Sequence, residues 1–325
     1  MALSLLSLSE KLRSEADAYE FLEELRWGNQ PVCPHCGSVR KPYFLKPRNG
    51  TSRNTRTGNV SERRVWKCAD CRKQFSVLTG TIFHGTKISV RKWVFVIFEM
   101  CASKNGVAAK EIERKYNLDS KSAWFMLHRI REAMKRDPLA GLLSGRVVAD
   151  ETWIGGKPSN RHGHKRGHGG QGKTDKTPVL ALVSRETGEV RSRAITNVTG
   201  DNLHSALLGQ VEPMRVHLHT DTSGAYRKIG RAFADHSSVD HSSGEYVRGD
   251  VSTNQAENFF SQLKRSIDGT HHHVSVHHLN RYLAEFDFRY STRTMTDTER
   301  METLLAGKVH QRRLTYRNPT CTDWS

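Results

Sequence analysis

The 325-residue chain lacks any stretch of about 20 apolar residues, the length that a membrane-spanning helix requires. A short apolar run lies near the start, but no basic residue precedes it and acidic residues soon follow, which is not the pattern of a signal peptide. Acidic residues are also in deficit: 34 Asp and Glu stand against 51 Lys and Arg, for a formal net charge of +17. We therefore predict no membrane contact and favour nucleic acid as the partner. The alternative is a soluble protein whose lysines are merely solvated.

Cysteine is sparse, but its spacing is informative. Four of the six cysteines form two CxxC pairs, which leaves Cys101 and Cys321 without a neighbour in the sequence. Two leftover thiols and the lack of a secretion signal favour a reducing cytosol over a framework of disulfide bonds. A cytoplasmic setting is the expectation.

The two CxxC pairs predict a zinc ribbon. Two intervening residues let both sulfurs of a pair face one point, and a tetrahedral Zn²⁺ ion needs two such pairs. Here 31 residues separate the pairs, a long spacing that a hairpin excursion explains. Either pair alone would also fit a redox motif. Together they predict one structural Zn²⁺, and the ligands are Cys33, Cys36, Cys68 and Cys71.

Hydrophobic periodicity divides the chain into helical and mixed segments. Helices are predicted at residues 14–27, 90–103, 107–116 and 120–135, and from residue 145 strands alternate with helices, which is typical of an α/β domain with a mixed sheet. Residues 155–176 form a Gly-, His- and Lys-rich insertion between strands. The predicted organisation is an N-terminal helix in 1–28, a zinc ribbon in 29–85, a helix-turn-helix domain in 86–138, a catalytic domain in 145–292 and a C-terminal tail in 293–325.

The two helices at 107–116 and 120–135 enclose a short turn, and Asp119 or Ser120 can cap the second helix. This pattern predicts a DNA-binding helix-turn-helix, although an ordinary helical hairpin has the same spacing. The second helix would supply the contacts to phosphates and base edges. The candidate DNA-binding residues on it are Lys121, Ser122, His128 and Arg129.

Three carboxylates occupy positions suited to phosphodiester chemistry. Asp150 ends the apolar segment 146–150, Asp221 ends the apolar segment 215–221, and Glu257 lies in the first turn of a helix that begins near Asn254. Cutting and rejoining DNA requires activation of one oxygen and stabilisation of another, which two Mg²⁺ or Mn²⁺ ions held by carboxylates provide. Each acid alone is explained as well by a turn or a helix cap. The set, in a basic chain with a zinc ribbon, favours a catalytic role.

Neighbouring residues have predicted supporting roles. Glu151 adjoins Asp150, but successive strand residues point to opposite faces, so it is interpreted as a structural or supporting group. Lys264 and Arg265 lie two turns beyond Glu257 and are candidate DNA-phosphate ligands, with a solvated helix face as the alternative. The histidines His271–His273 are further candidates for meeting DNA.

The order Asp150, Asp221, Glu257, with 35 residues between the last two, resembles the triad of DDE transposases and retroviral integrases. The segments around the cysteines, the helix pair and the three acids resemble the zinc-ribbon insertion-sequence transposases of bacteria, over about residues 15–292. That resemblance implies an RNase H-like fold with Asp150 on its first strand, Asp221 on its fourth and Glu257 on the helix after the fifth. It also implies metal-dependent cleavage and strand transfer by a homo-oligomer, at least a dimer, that binds the terminal inverted repeats of a mobile element and target DNA.

Two other functions compete with this interpretation. One is a DNA-binding regulator, or a decayed transposase, that performs no chemistry. The other is a nuclease of the same fold that cuts DNA without joining it. Dependence on a divalent metal separates the first from an enzyme, and joined products separate the second from a transposase.

Overall fold

The computed structural model describes residues 4–28, 30–40, 42–47, 53–54, 60–135, 140–156 and 176–309. The chain divides by its internal contacts into two units, residues 1–135 with 294–325 and residues 136–293. Most of the Gly-, His- and Lys-rich insertion and the leftover Cys321 lie outside the described residues. None of the described helices is long and apolar enough to cross a membrane.

The first unit combines short strands with helices. Its helices are α1 (Leu5–Lys11), α2 (Glu15–Trp27), α3 (Val90–Ala102), α4 (Ala109–Tyr116), α5 (Ser120–Met134) and α10 (Asp297–Thr303). Its strands are β1 (Tyr43–Phe44), β2 (Arg53–Asn54), β3 (Val60–Ser61), β4 (Trp66–Lys67) and β5 (Gln74–Phe75). Strands β1, β4 and β5 form a small antiparallel sheet, and β2 pairs with β3. The four predicted helices are confirmed to within two residues at either end.

Side-chain caps fix where these helices begin. Ser14 caps α2 in a reciprocal arrangement with Asp17, and Asp119 accepts a hydrogen bond from the Ser122 N–H at the start of α5. Helix α3 has no cap from its own N-cap residue; the Glu15 carboxylate instead accepts bonds from the Val90 and Arg91 N–H groups. This contact ties α2 to α3 and satisfies amides that would otherwise lack a partner.

The prediction of a C-terminal tail is wrong for its first part. Helix α10 packs on α3, where the Arg300 guanidinium donates to the Cys101 carbonyl oxygen at 2.8 Å, and Met301 is fully buried. A π-helical turn, Leu304–Lys308, continues α10. Residues 297–308 therefore belong to the core of the first unit, because their apolar side chains complete the packing around α3. The predicted boundary between the zinc ribbon and the helix-turn-helix domain stays a prediction within this unit.

The second unit is built on a five-stranded mixed sheet. Its strands are β6 (Leu143–Ile154), β7 (Thr177–Ser184), β8 (Val190–Ala194), β9 (Val211–Asp221) and β10 (Asp235–Val239). The spatial order is β10-β9-β6-β7-β8; β6, β7 and β8 pair antiparallel, whereas β9 is parallel to β6 and β10 is parallel to β9. This mixed sheet fits an RNase H-like transposase domain, as predicted.

Helices cover the sheet on both faces and a hairpin follows its last strand. They are α6 (Gly200–Leu208), α7 (Tyr226–Ile229), α8 (Asn254–Ser266) and α9 (Val276–Ser291), and the hairpin consists of β11 (Val247–Arg248) and β12 (Val251–Ser252). One apolar cluster joins the sheet to α6 and α7, and a second joins the opposite face to α8 and α9. Strand alternation assigns side chains to one cluster or the other.

Gly230 follows α7 and leaves no room for a methyl group. A Cβ there would lie 2.9 Å from the Cβ of His236 and closer still to the ring. The imidazole has little freedom to move, since its Nε2 is 2.9 Å from the Thr220 hydroxyl. We expect Gly230→Ala to destabilise the second unit by roughly 1–3 kcal/mol, the usual cost of overpacking.

Thermal unfolding of the variant measures this cost. Gly224→Ala is the matched control, because a Cβ at Gly224 meets nothing within 4 Å. Equal melting temperatures for the two variants would contradict the close approach of Gly230 to His236.

Candidate active site

The site begins with the two faces of β6. Val147 and Ala149 point into the cluster beneath α6 and α7, whereas Val148 and Ile154 point into the cluster beneath α8 and α9. Alternation therefore directs Asp150 toward the α8 side. Asp150 ends the apolar segment 146–150 but not its strand: β6 continues to Ile154, because the residues after Asp150 pair with β7. The acid thus sits on a strand bonded on both sides.

Asp221 reaches the same face through the register of β9. Val148 is paired in parallel with His219, so two residues further along, Asp221 lies next to Asp150. Asp221 is the last residue of β9, and its Oδ1 accepts a hydrogen bond from the Ser223 N–H at 3.0 Å. The turn after the strand therefore holds one oxygen of the carboxylate in place.

Glu257 comes from the helix that covers this face. Helix α8 buries Ala256, Phe259 and Leu263 against the sheet, which leaves Glu257 in its first turn at the edge of the packed surface. Its side chain is 48% exposed. The hydroxyl of Thr253, the residue just before the helix, donates to Oε1 of Glu257 at 3.2 Å.

The pKa of Asp150 records the proximity of the other acids. Burial, together with the negative charges of Asp221 and Glu257, raises it to about 6, while the Glu151 N–H and His241 act in the opposite direction. Like charges held close together disfavour ionisation, so the three acids belong to one electrostatic site.

Each of the three acids has one oxygen held by the protein and one that is not. The held atoms are Oδ1 of Asp150, Oδ1 of Asp221 and Oε1 of Glu257. Over the described residues, none of these carboxylates forms an ion pair with Lys or Arg, and no hydrogen bond reaches their second oxygens. An all-oxygen, negatively charged donor set with outward lone pairs fits hard divalent cations such as Mg²⁺.

Glu151 points to the other face, as predicted. It accepts a hydrogen bond from the hydroxyl of Tyr226, a buried residue of the cluster beneath α6 and α7. Burial raises the pKa of Glu151 to about 8, with smaller contributions from Asp150 and Asp221. Its carboxyl therefore supports the strand from behind and lies apart from the outward oxygens of the three acids.

Two polar residues beside Glu257 were not predicted from the sequence. His241, in a short turn after β10, has its Nε2 2.7 Å from the Thr253 hydroxyl and 3.5 Å from Oε1 of Glu257. No local pattern marks His241, because it approaches the acid only through the tertiary fold. Thr253 carried a signal, since Thr is a common residue immediately before a helix.

The four cysteines form a second, separate site in the first unit. Their sulfurs all lie within 4.8 Å of one another, and the Sγ atoms of Cys33 and Cys71, like those of Cys36 and Cys68, are 3.7 Å apart. Tetrahedral Zn–S bonds of about 2.3 Å would separate the sulfurs by about 3.8 Å. Within the described residues this is the one group of three or more potential ligands so closely spaced, and it fits Zn²⁺.

The two knuckles share one backbone design. In each, the N–H of the first cysteine donates to a carbonyl five residues later, from Cys33 to Ser38 and from Cys68 to Lys73, both at 3.0 Å. The residue after the second cysteine is left-handed, with φ of 71° at Gly37 and 61° at Arg72. These tight turns aim both sulfurs of each pair at one point.

The ribbon is anchored to α2 by a buried carboxylate. Glu23 accepts hydrogen bonds from the Trp66 indole at 2.8 Å and from the Arg64 guanidinium at 2.9 Å. Trp27 also packs edge-on against Phe75. Burial raises the pKa of Glu23, and the Trp66 and Arg64 bonds partly offset that shift. The helix and the ribbon consequently form one packed piece.

Comparison with known proteins matches both parts of the chain. Residues 142–291 match the ISXO2-like transposase domain, and residues 13–74 match the transposase zinc-ribbon domain. The chain belongs to the ISXO2-like transposases with an N-terminal zinc ribbon. This transposase is also 26% identical, over 90% of its own length and 96% of the relative's, to a Halobacterium salinarum protein described as an uncharacterized protein in transposable element ISH50.

The predicted DNA contacts of the transposase fall into two groups. Lys121 is exposed and Ser122 half-buried at the start of α5, and Lys264 and Arg265 are exposed in the last turn of α8. These four side chains are accessible to a ligand. His271, by contrast, packs edge-on against the ring of Tyr282 at 4.8 Å.

His128 and Arg129 do not lie on an exposed helix face, which corrects their assignment as DNA contacts. His128 is fully buried, and its ring lies tilted against the ring of Trp124 with 4.1 Å between centroids. Arg129 is 5% exposed. The Arg129 guanidinium donates to the His84 carbonyl at 2.9 Å and lies over the ring of Trp93. These side chains hold α5 to the rest of its unit, which the spacing of apolar residues alone did not indicate.

The transposase is expected to hold one Zn²⁺ in the cysteine site. Cys68→Ser should remove the ion and unfold the ribbon, because two of the three buried residues in the ribbon's described apolar cluster, Cys33 and Cys68, are themselves zinc ligands. The same loss should follow chelation of the wild-type protein. Zinc content by elemental analysis, with the fluorescence of Trp27 and Trp66 as the structural signal, measures both effects.

Cys101→Ala is the matched control, since Cys101 lies buried in α3 away from the cluster. It should keep the zinc. A metal-free protein with unchanged tryptophan fluorescence would refute the structural role of the ion.

Proposed function

We propose that this transposase cuts and joins DNA at the ends of a mobile element, with Asp150, Asp221 and Glu257 as its catalytic residues. One observation carries the proposal: three acids from β6, β9 and α8 lie within electrostatic reach of one another, and each has an oxygen that no described residue engages. Metal-dependent transfer of a phosphodiester needs such a set of oxygen donors.

In this proposal the three acids are ligands of two Mg²⁺ or Mn²⁺ ions. When bound, such ions activate the attacking oxygen and stabilise the leaving oxygen of the phosphodiester. Asp150 supplies the rigid part of the site because β6 is bonded to strands on both sides. Asp221 and Glu257 stand at a strand end and a helix start, where small adjustments to the substrate cost little.

In this proposal, basic side chains near the three acids bind the DNA. Lys264 and Arg265 follow Glu257 on the same helix and extend into solvent, so they are placed to bind phosphates next to the reacting bond. The net charge of +17 supports a polyanionic partner.

Recognition of the terminal repeats is assigned to the first unit. Helices α4 and α5 pack together around a short turn, in which Asn117 has a left-handed conformation and ends α4. In a helix-turn-helix the first turn of the second helix meets the base edges, which assigns Lys121 and Ser122 to DNA contact. The transposase would act on paired element ends as a homo-oligomer, at least a dimer.

Substitution of one catalytic acid by its amide tests the chemistry. We expect Asp150→Asn, Asp221→Asn and Glu257→Gln each to lower cleavage and strand transfer by roughly 10³-fold, because several kcal/mol of metal-mediated stabilisation are lost. Binding to DNA that carries the element's ends should change little. Gel-resolved cleavage and joining of such DNA in Mg²⁺ measures the loss.

Glu212→Gln is the matched control, because Glu212 is a partly exposed carboxylate on β9 that pairs only with the surface Arg215 among the described residues. It should retain activity. Full activity in any of the three amide variants would refute that acid's catalytic role, and specific end binding with no chemistry in the wild type would favour a regulator.

Substitution of Lys121 tests the recognition helix. Lys121→Ala should weaken binding to the element's ends by about 1–3 kcal/mol if the side chain reads a base, or reduce the salt dependence of binding by about one charge if it contacts a phosphate. Binding isotherms at several salt concentrations, with end DNA and unrelated DNA, distinguish these two results.

Lys11→Ala is the control for loss of a surface charge, since Lys11 lies on α1 and faces Glu24. Arg129→Ala should instead lower the melting temperature, because Arg129 is buried. If Lys121→Ala binds end DNA as the wild type does at every salt concentration, α5 is not the recognition helix.

A further inference from the structure

Glu257 differs from the two aspartates in how its position is fixed. Its side chain is 48% exposed and has three rotatable bonds, so an unrestrained carboxylate would sample many positions. A metal ligand must be held within a few tenths of an ångström to be effective. Contacts that restrain Glu257 are therefore as important to its role as the carboxylate itself.

The first restraint is the hydroxyl of Thr253. Thr253 immediately precedes α8 and is 1% exposed, but its hydroxyl does not cap the helix. It lies 3.2 Å from Oε1 of Glu257 instead. The Thr253 hydroxyl therefore does not cap α8 but donates to a carboxylate one turn later, and this hydrogen bond orients the carboxylate.

The second restraint is the imidazole of His241. Its Nε2 is 2.7 Å from the Thr253 hydroxyl oxygen and 3.5 Å from Oε1 of Glu257, and its ring packs against Tyr246 with 5.2 Å between centroids. Nδ1 is buried and meets no partner among the described residues, and the single proton of the Thr253 hydroxyl is donated to Glu257, so the bond between His241 and Thr253 uses a proton on Nε2. The Nε2–H then donates to Thr253, and the Thr253 O–H donates to Glu257.

The hydrogen bonds therefore run in one direction, from His241 through Thr253 to Glu257. Such a chain polarises the hydroxyl and strengthens its bond to the carboxylate. Both contacts fall on Oε1, so Oε2 is the oxygen left for a cation.

We propose that His241 and Thr253 are positioning residues that fix Oε1 of Glu257 and thereby orient Oε2 toward a bound divalent cation. This rests on the proposed role of Glu257 as a metal ligand. Neither residue touches the DNA or the ion in this arrangement; both act through the carboxylate. Partners of this kind behind a metal ligand typically change metal affinity by 10–100-fold when removed.

The test compares variants that keep or lose the hydrogen bond. Thr253→Val removes the hydroxyl at nearly constant shape, and Thr253→Ser keeps it; His241→Phe removes the ring nitrogen, and His241→Gln keeps a donor. Ser243→Ala is the control in the same turn, since the Ser243 hydroxyl donates to the Asp240 carbonyl and lies away from Glu257. Mn²⁺ binding to the full-length, DNA-free protein is followed by electron paramagnetic resonance, alongside strand transfer, end-DNA binding and thermal unfolding.

We expect Thr253→Val and His241→Phe to raise the Mn²⁺ concentration at half-saturation by roughly 10-fold. Strand transfer should fall at limiting Mn²⁺ and recover in large part at saturating Mn²⁺, with end-DNA binding unchanged. Thr253→Ser and Ser243→Ala should behave as the wild type, and His241→Gln should lie between the wild type and His241→Phe. Should Thr253→Val prove too unstable to purify, the His241 pair provides the same comparison.

Unchanged Mn²⁺ binding in both Thr253→Val and His241→Phe would overturn the proposal, as would equal losses in Thr253→Val and Thr253→Ser. Glu257→Gln, measured in parallel, separates the proposed catalytic role of Glu257 from the proposed positioning role of His241 and Thr253. If it is inactive while Thr253→Val and His241→Phe match the wild type, only the positioning role fails. If Glu257→Gln itself is active, the proposed function of Glu257 fails and the positioning role fails with it.

Discussion

The parallel pairing of β6 with β9 is the constraint on which the geometry of the candidate site depends. It brings Asp221 beside Asp150 because Val148 and His219 are partners two residues earlier on their strands. The side-chain period of a strand is two, so a slip of one residue would turn Asp221 away from Asp150 and toward the opposite cluster. The apolar residues of β6 and β9 prevent that slip, since each face already has its own packed core. Helix α8 packs on one of these faces and adds Glu257 to it.

The site brings the negative charges of Asp150, Asp221 and Glu257 near one another, and the burial of Asp150 strengthens their repulsion. The raised pKa of Asp150 reflects that cost, with burial as its main cause. The fold tolerates this unfavourable repulsion because β6 is hydrogen-bonded to β7 and β9 and packs into both apolar clusters. No Lys or Arg among the described residues forms an ion pair with these three acids, which is consistent with the proposed binding of a metal ion. The same logic applies to the cysteines, whose tight knuckles bring four sulfurs together in the first unit.

Local signals in the sequence predicted most of the helices and strands, and they also predicted the four cysteines and the three acids of the two candidate sites. Spacing of apolar residues located α2 to α5, and the CxxC pairs located the four sulfurs. What escaped prediction depends on the tertiary fold. The burial of Arg129 follows from its packing near Trp93, and the approach of His241 to Glu257 follows from the turn after β10. None of these contacts joins residues close in sequence.

The proposed function requires that Asp221, with Asp150 and Glu257, bind the metal ions that support strand transfer. Replacing Asp221 with Cys tests it most directly, because a thiolate binds Mn²⁺ far better than it binds Mg²⁺. Strand transfer by Asp221→Cys on DNA with the element's own ends should be lost in Mg²⁺ and restored in part in Mn²⁺. Wild-type activity of this variant in Mg²⁺, or a loss that is the same in both metals, would contradict direct contact between Asp221 and the metal.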